Sequence, residues 1–274
     1  AGAAPPDQAA QATTPTAATA IAAVFDVVRF PVAFPFHART PHAAALRYIC
    51  PMVAAPRPIR ARTPCVLLTG FDAFGGQGLN PSGLAVQALH GRRIAGHRVV
   101  AAQLPTAFGT APQRLQALMN AHRPTLVICA GQAGGRAALS LERVALNLID
   151  ARIADNAQTQ PVDLPVVADG PAAYFSTLPV KAICSALLRQ GLAAEVSQTA
   201  GTFVCNQVFY ALMHTLATRR GWRQTRGGFL HVPWLPEQGT PSMALDDIVQ
   251  GLRLAVRVAL TTPQDLRFAA GQTH

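Results

Sequence analysis

From Thr63 onward, short apolar runs alternate with longer stretches in which apolar residues recur every three or four positions. The runs at 65 to 70 (CVLLTG), 97 to 104 (HRVVAAQL), 124 to 131 (PTLVICAG), 194 to 198 (AEVSQ) and 227 to 232 (GGFLHV) are predicted strands, several of them apolar enough to be buried on both faces. Asn80 is a helix cap followed by Pro81, whose missing N–H costs nothing at the first helical position, and Gly91 stops that helix. A second helix over 179 to 190 ends at Gly191. Val208, Leu212 and Met213 fit a third, beginning near Cys205. The last, about 242 to 260, places Leu245, Ile248, Leu252, Ala255, Val256 and Ala259 on one face and halts before Pro263. Strands alternating with helices of this length predict an α/β fold, a three-layer α/β/α sandwich with a largely parallel (mixed) central sheet. Ligands of such sheets bind beyond the carboxyl ends of the strands. Phe71 and Gln132 directly follow predicted strands, Cys205 lies a few residues past the fourth, and His231 ends the fifth.

Residues 1 to 62 break this pattern. Ala, Pro and Thr dominate and no periodicity emerges, so they read as a poorly ordered extension ahead of a catalytic domain at 63 to 274, with Met52 as an alternative start. The apolar stretch at 17 to 28 lacks a preceding positive charge and is interrupted by Asp26 and Arg29, which argues against a signal peptide. No run of 18 uncharged apolar residues occurs, so no membrane span is expected. The net charge of +10 comes almost wholly from arginine, since Lys181 is the only lysine. The arginines are scattered without aromatic interleaving or a nucleic-acid motif, so a solvated surface is expected and no nucleic-acid partner. Five cysteines, Cys50, Cys65, Cys129, Cys184 and Cys205, form no CxxC pair, which argues against a disulfide framework or structural zinc and for a cytoplasmic setting.

Candidate chemistry concentrates in three places. The stretch LLTGFDAFGGQGLNPSG (67 to 83) has neither the GxxxxGK of a phosphate loop nor the GxGxxG of a dinucleotide site. It sets Phe71 and Phe74 in a loop, where they either plug the sheet edge or wall a site for a flat, uncharged ligand. In LSLERVALN, Glu142 has apolar neighbours, and a buried carboxylate must be paired. A salt bridge with Arg143 or another arginine is the simpler account of that residue alone. Cys205 falls in the first turn of its helix, where backbone N–H groups and the dipole favour thiolate. His231 enters a Pro-bounded loop from a strand end. A nucleophilic cysteine needs an imidazole, and the imidazole needs an acceptor that fixes its tautomer. Cys205, His231 and Glu142 are candidates for those roles, among many combinations that eight histidines and five cysteines allow. His90, His97, His122 and His214 read as helix-end or surface residues.

Four separated blocks then carry a resemblance: LLTGFDAFGG…NPS, GQAGGRAALSLERVALN…DARI.DN, SQTAGTFVCN and GGFLHVPWLPEQ, supported by YFSTLPVKAI at 174 to 183. In order and spacing they resemble the pyroglutamyl peptidase I (pyrrolidone-carboxylate peptidase) family of cysteine peptidases over roughly residues 63 to 260. The resemblance implies hydrolysis of the amide bond after an N-terminal pyroglutamyl residue. It implies Cys205 as nucleophile, His231 as general base and acid, and Glu142 as the third catalytic residue. It further implies Phe71, Phe74, Thr106, Ile153, Phe203 and Val204 as pocket walls, a main-chain contact from Gln132 to the lactam, and Arg152 beside the carbonyl oxygen. No metal or cofactor is implied, and a homotetramer or homodimer is. Ala154 departs from the family's usual Pro, which predicts a looser loop around Arg152. The same fold binding pyroglutamyl ends without turnover is the rival reading, and the presence of all three catalytic residue types speaks against it.

Overall fold

The computed structural model describes residues 63 to 270, so the expected extension at 1 to 62 lies outside the described residues. In chain order the elements are β1 (Cys65–Phe71), α1 (Pro81–Ala88), β2 (Arg93–Ile94), β3 (His97–Leu104), α2 (Thr110–His122), β4 (Leu126–Gln132), β5 (Leu139–Glu142), β6 (Val144–Leu146), β7 (Ala173–Phe175), α3 (Val180–Arg189), β8 (Ala194–Ser197), α4 (Val204–Thr218), β9 (Arg226–Val232) and α5 (Leu245–Thr261). The five strands and four helices read from the hydrophobic pattern are all present within a few residues of their expected ends. Asn80 caps α1 as expected, its side chain accepting from the Ser82 N–H at 3.1 Å with Pro81 behind it. Gly191, at φ 76°, takes the left-handed conformation that ends α3 cheaply. The helix α2 and the three- and four-residue strands β5 to β7 are not singled out by the pattern. Runs that short, interrupted by Glu142 and Arg143, carry no readable period.

Seven strands form one sheet in the order β2-β3-β1-β4-β9-β5-β8, and β6 pairs with β7 separately. The pairings β3–β1, β1–β4, β4–β9 and β5–β8 are parallel, whereas β2–β3 and β9–β5 are antiparallel. The sheet is therefore mixed and mostly parallel, with β5 and β8 running against β9. Alternation along the strands divides the core in two. Leu68, Ile128, Leu141 and Leu230 pack with α1, α3 and α5 on one face, while Leu67, Cys129 and Phe229 pack with α2 and α4 on the other. This is the three-layer sandwich, with all these strand residues fully or almost fully buried. His214, read from the sequence as a surface or helix-end residue, instead stacks on Tyr210 and hydrogen-bonds the Tyr174 hydroxyl at 3.0 Å.

Candidate active site

Parity decides which strand residues can meet. Gly131 and His231 are register partners on β4 and β9, and each stands two residues beyond a residue, Cys129 or Phe229, that faces α4. Both therefore face α4. On the antiparallel strand β5, Ser140 lies opposite His231 and Glu142 opposite Phe229. Glu142 and His231 are thus diagonal neighbours on one face, a separation that long side chains span. They do so here: His231 Nδ1 lies 2.7 Å from Glu142 Oε1. The carboxylate can only accept, so Nδ1 carries the hydrogen and Nε2 is left as the basic nitrogen. The pair is buried, with Glu142 at 0% and His231 at 4% exposure.

Cys205 reaches the same place from the other side. It is the second residue of α4, whose preceding residue Phe203 is extended. Its Sγ rests over Gly131, where an added Cβ would lie only 2.8 Å from the sulfur and 2.8 Å from Phe229 Cζ. The glycine is the gap into which the thiol fits. Cys205 and His231 line one cavity of about 280 Å³.

The charge environment corrects the expectation of a thiolate favoured by the helix start. Burial, then the negative Glu142 and the neighbouring Cys129, push the Cys205 thiol up to about 12, against smaller lowering contributions from Arg136 and the Cys205 backbone N–H. One helix turn cannot outweigh removal of the sulfur from water next to a carboxylate. The surroundings therefore favour the neutral Cys205 thiol over the thiolate. Arg136, which sequence reasoning missed, donates to Glu142 Oε1 at 2.8 Å and also bonds Ser197 Oγ and Thr199 O, both at 3.4 Å. It lines the cavity with Cys205 and His231. Glu142 thus does pair with an arginine, but Arg136 rather than Arg143, and the same oxygen also holds the histidine. The signal that might have singled out Arg136 was the only charge in GQAGGRAALS, directly ahead of the buried glutamate.

Phe71, Phe74, Thr106, Gln132 and Phe203 line the thiol cavity. Phe74 and Phe203 pack with centroids 5.7 Å apart, and Phe108 buttresses Phe203 edge-on at 5.1 Å. Thr106 is held by Asp72, whose Oδ1 accepts its N–H at 2.7 Å. Gln132, Gln77 and Gln238 bond to one another at 2.8, 2.6 and 3.1 Å, tying the Phe74 loop to the ends of β4 and β9. The remaining expected wall residues are placed elsewhere. Val204 is fully buried in the core behind the cavity. Arg152 and Ile153 line an adjoining cavity of about 270 Å³, which shares Phe74, Gln132 and Gly134 with the first. The loop after Ala154 is pinned at Asp155, whose carboxylate accepts from the N–H groups of Phe108 (2.6 Å), Ala157 and Thr159 (both 2.8 Å). Larger hollows, of about 660 Å³ beside α5 and about 490 Å³ between α2 and α4, bring no thiol beside an imidazole.

A thiol and a carboxylate-bonded imidazole thus line one aromatic-walled cavity, on a fold shared with known proteins. The family model for pyroglutamyl peptidase matches residues 65 to 262. The chain is 56% identical over 216 residues to a pyrrolidone-carboxylate peptidase of Cupriavidus taiwanensis, covering 77% of this chain and all of that one. It is 50% identical over 214 residues to that of Bacillus cytotoxicus, covering 76% and 99% of the two chains. Among solved structures, pyroglutamyl peptidase I of Bacillus amyloliquefaciens superposes with a TM-score of 0.72 at 44% identity, over 74% of this chain and 100% of that one. A mutant pyrrolidone carboxyl peptidase of Pyrococcus furiosus gives 0.70 at 38% identity, over 72% and 98%. Matched in sequence and in architecture across its described domain, this chain belongs to the pyroglutamyl peptidase family.

Proposed function

We propose that the protein is a cysteine exopeptidase that cleaves the amide bond after an N-terminal pyroglutamyl residue of peptides, with Cys205, His231 and Glu142 as its catalytic residues. The observation that supports this is that Cys205 and His231 line one phenylalanine-walled cavity, with the buried Glu142 carboxylate bonded to that imidazole from the same face of the sheet. Pyroglutamate has neither a free α-amine nor a side-chain carboxylate, so a slot for it is apolar with a few polar contacts to its lactam. Phe71, Phe74 and Phe203 supply the flat walls, and Thr106 and the Gln132 main chain lie where polar contacts to the ring are needed. Val204 supports this wall from behind. A site built around hydrogen bonds to one ring rejects residues that lack them, because its own polar groups would be left unpaired.

His231 Nε2 takes the Cys205 proton as the sulfur attacks the pyroglutamyl carbonyl, and Glu142 stabilises the imidazolium that forms. The Cys205 backbone N–H, in the first turn of α4, holds the oxyanion on this reading. The tetrahedral adduct collapses as His231 returns the proton to the leaving amine, giving a thioester. Water, deprotonated by the same imidazole, then releases pyroglutamate and restores the thiol. Arg136 holds Glu142 in position beside His231. The catalytic domain on this reading is 63 to 274, acting in the cytoplasm as a homodimer or homotetramer; Cys129, Cys184 and Cys205 carry no disulfide, which suits that compartment. No helix among the described residues is long and apolar enough to cross a membrane.

The test is fluorophore release from a pyroglutamyl amide set against the prolyl and glutamyl amides. Only the first is cleaved, thiol alkylation stops it, and Cys205→Ala and His231→Ala abolish it. Undiminished turnover in the Cys205→Ala protein rejects the nucleophile, and binding of pyroglutamyl peptides without any turnover favours a recognition module.

A further inference from the structure

We infer that the cavity adjoining the thiol pocket receives the residue that follows the pyroglutamyl group, and that Arg152 reads a carboxylate carried on that residue. This rests on the peptidase reading above and extends it to the leaving side of the scissile bond.

The acyl half of the substrate is a single ring, and its carbonyl must sit at the Cys205 sulfur. The next residue therefore has to leave the thiol cavity across one of its walls. Three walls, Phe74, Gln132 and Gly134, are common to the thiol cavity and the second one, which continues over Ile153, Trp234 and Arg152. At Gly134 an added Cβ would run into the Trp234 ring, so the position tolerates no side chain and the indole packs directly on its backbone where the two cavities meet. The indole is itself fixed from its far side, since a Cβ on Gly239 would stand 3.2 Å from the Trp234 ring, and the Met243 N–H donates to Trp234 O at 2.8 Å. Phe74 and the 42% exposed Ile153 offer apolar sides to a substrate Cβ.

Charge then selects the ligand. Of the two arginines lining these cavities, Arg136 is engaged by Glu142, whereas Arg152 is exposed and forms no salt bridge with any described carboxylate. The segment that carries it is held against the one leading to the nucleophile. The Asp150 N–H donates to Thr202 O at 3.1 Å, the Thr202 hydroxyl donates to Asp150 O at 2.7 Å, and the Ala151 N–H donates to Pro161 O at 2.9 Å. Arg152 thus lines the second cavity from a backbone held in place on both sides, and a planar bidentate donor there suits a carboxylate. That carboxylate is either the free C-terminus of a pyroglutamyl dipeptide or an acidic side chain at the same position.

Two isosteric pairs separate the sources: pyroglutamyl-alanine against its C-terminal amide, and pyroglutamyl-aspartyl amide against pyroglutamyl-asparaginyl amide. We expect kcat/KM of the charged member to exceed that of its neutral partner by about three- to tenfold at low salt in at least one pair. The ratio shrinks as salt is raised, is lost in Arg152→Gln and is partly kept in Arg152→Lys. The pair that shows it identifies the carboxylate. Ratios near one in the wild-type protein, or ratios that survive Arg152→Gln, overturn the inference. So does an equal fall for all four substrates in Arg152→Gln, which instead puts the guanidinium at the scissile carbonyl. Failure of the wild-type protein to cleave any of the four peptides sinks the peptidase reading itself and is distinguished in that way. Matching unfolding midpoints of the Arg152 variants and the wild type exclude a folding defect.

Discussion

Gly131 is the position where the smallest change should have the most legible effect. Replacing it with alanine places a methyl group 2.8 Å from both Cys205 Sγ and Phe229 Cζ, where ordinary contact begins near 3.4 Å, so something must give by about 0.6 Å. Phe229 cannot yield easily. It is fully buried and packed against Phe71, Phe209 and His231. The sulfur, on the wall of a cavity, is the softer partner and is pushed from its place on the wall that it shares with His231. Overpacking of this kind costs about 1–3 kcal/mol of stability, and displacing a reacting atom by a sizeable fraction of an ångström costs roughly 10- to 100-fold in rate. We therefore expect Gly131→Ala to fold, to unfold at a modestly lower temperature, and to lose about one to two orders of magnitude in kcat on a pyroglutamyl amide with a smaller change in KM. Steady-state kinetics beside thermal unfolding checks this. A Gly131→Ala enzyme whose kcat stays within twofold of wild type would show that the sulfur does not depend on that gap, and the geometric account of the site would fail.

Two further predictions concern charge. Arg136→Gln removes one of two groups holding Glu142 Oε1 and the side-chain charge that lowers the Cys205 thiol. It should reduce kcat about tenfold and slow alkylation of Cys205 by iodoacetamide at fixed pH, with partial rescue in Arg136→Lys; unchanged alkylation and kcat would deny Arg136 any role. Cys129 is fully buried and its thiol is pushed by burial from 9.0 up to about 12, opposed by a hydrogen bond from Thr69. Between those values the unfolded chain gives up this proton while the folded protein retains it, so stability is intact below pH 9 and falls through the window from 9 to 12. The slope is up to about 1.4 kcal/mol per pH unit. Denaturant unfolding at successive alkaline pH values should show a shallower decline in Cys129→Val, and identical slopes would refute the assignment.

The sequence was enough, by itself, to specify the elements that long-period signals specify. The apolar run of β4, the Asn80-Pro81 start of α1 and the one-sided stripe of α5 are local properties, written in consecutive residues, and they emerge where expected. Cys205, His231 and Glu142 were legible as candidates because a thiol at a helix start, an imidazole at a strand end and a carboxylate among apolar neighbours are each unusual locally, and the family blocks singled them out. What the chain could not announce is which of them meet. That Glu142 reaches His231 depends on β5 running antiparallel to β9 and on a register that makes them diagonal neighbours 89 residues apart. That Arg136, rather than Arg143, shares the same carboxylate oxygen with His231 depends on a glycine-containing turn with no periodic signal. Arg152 and Ile153 stand one wall away from the thiol because their loop is tied to Thr202 and Asp155 by bonds with no sequence signature. The thiol, expected from its helix position to ionise easily, is instead pushed up by burial and a neighbouring carboxylate, which depend on the whole surroundings and not on one helix turn. Hydrophobic period and chain punctuation act over a few residues and survive in one dimension, whereas register, desolvation and the partner of a buried charge exist only once distant strands have come together.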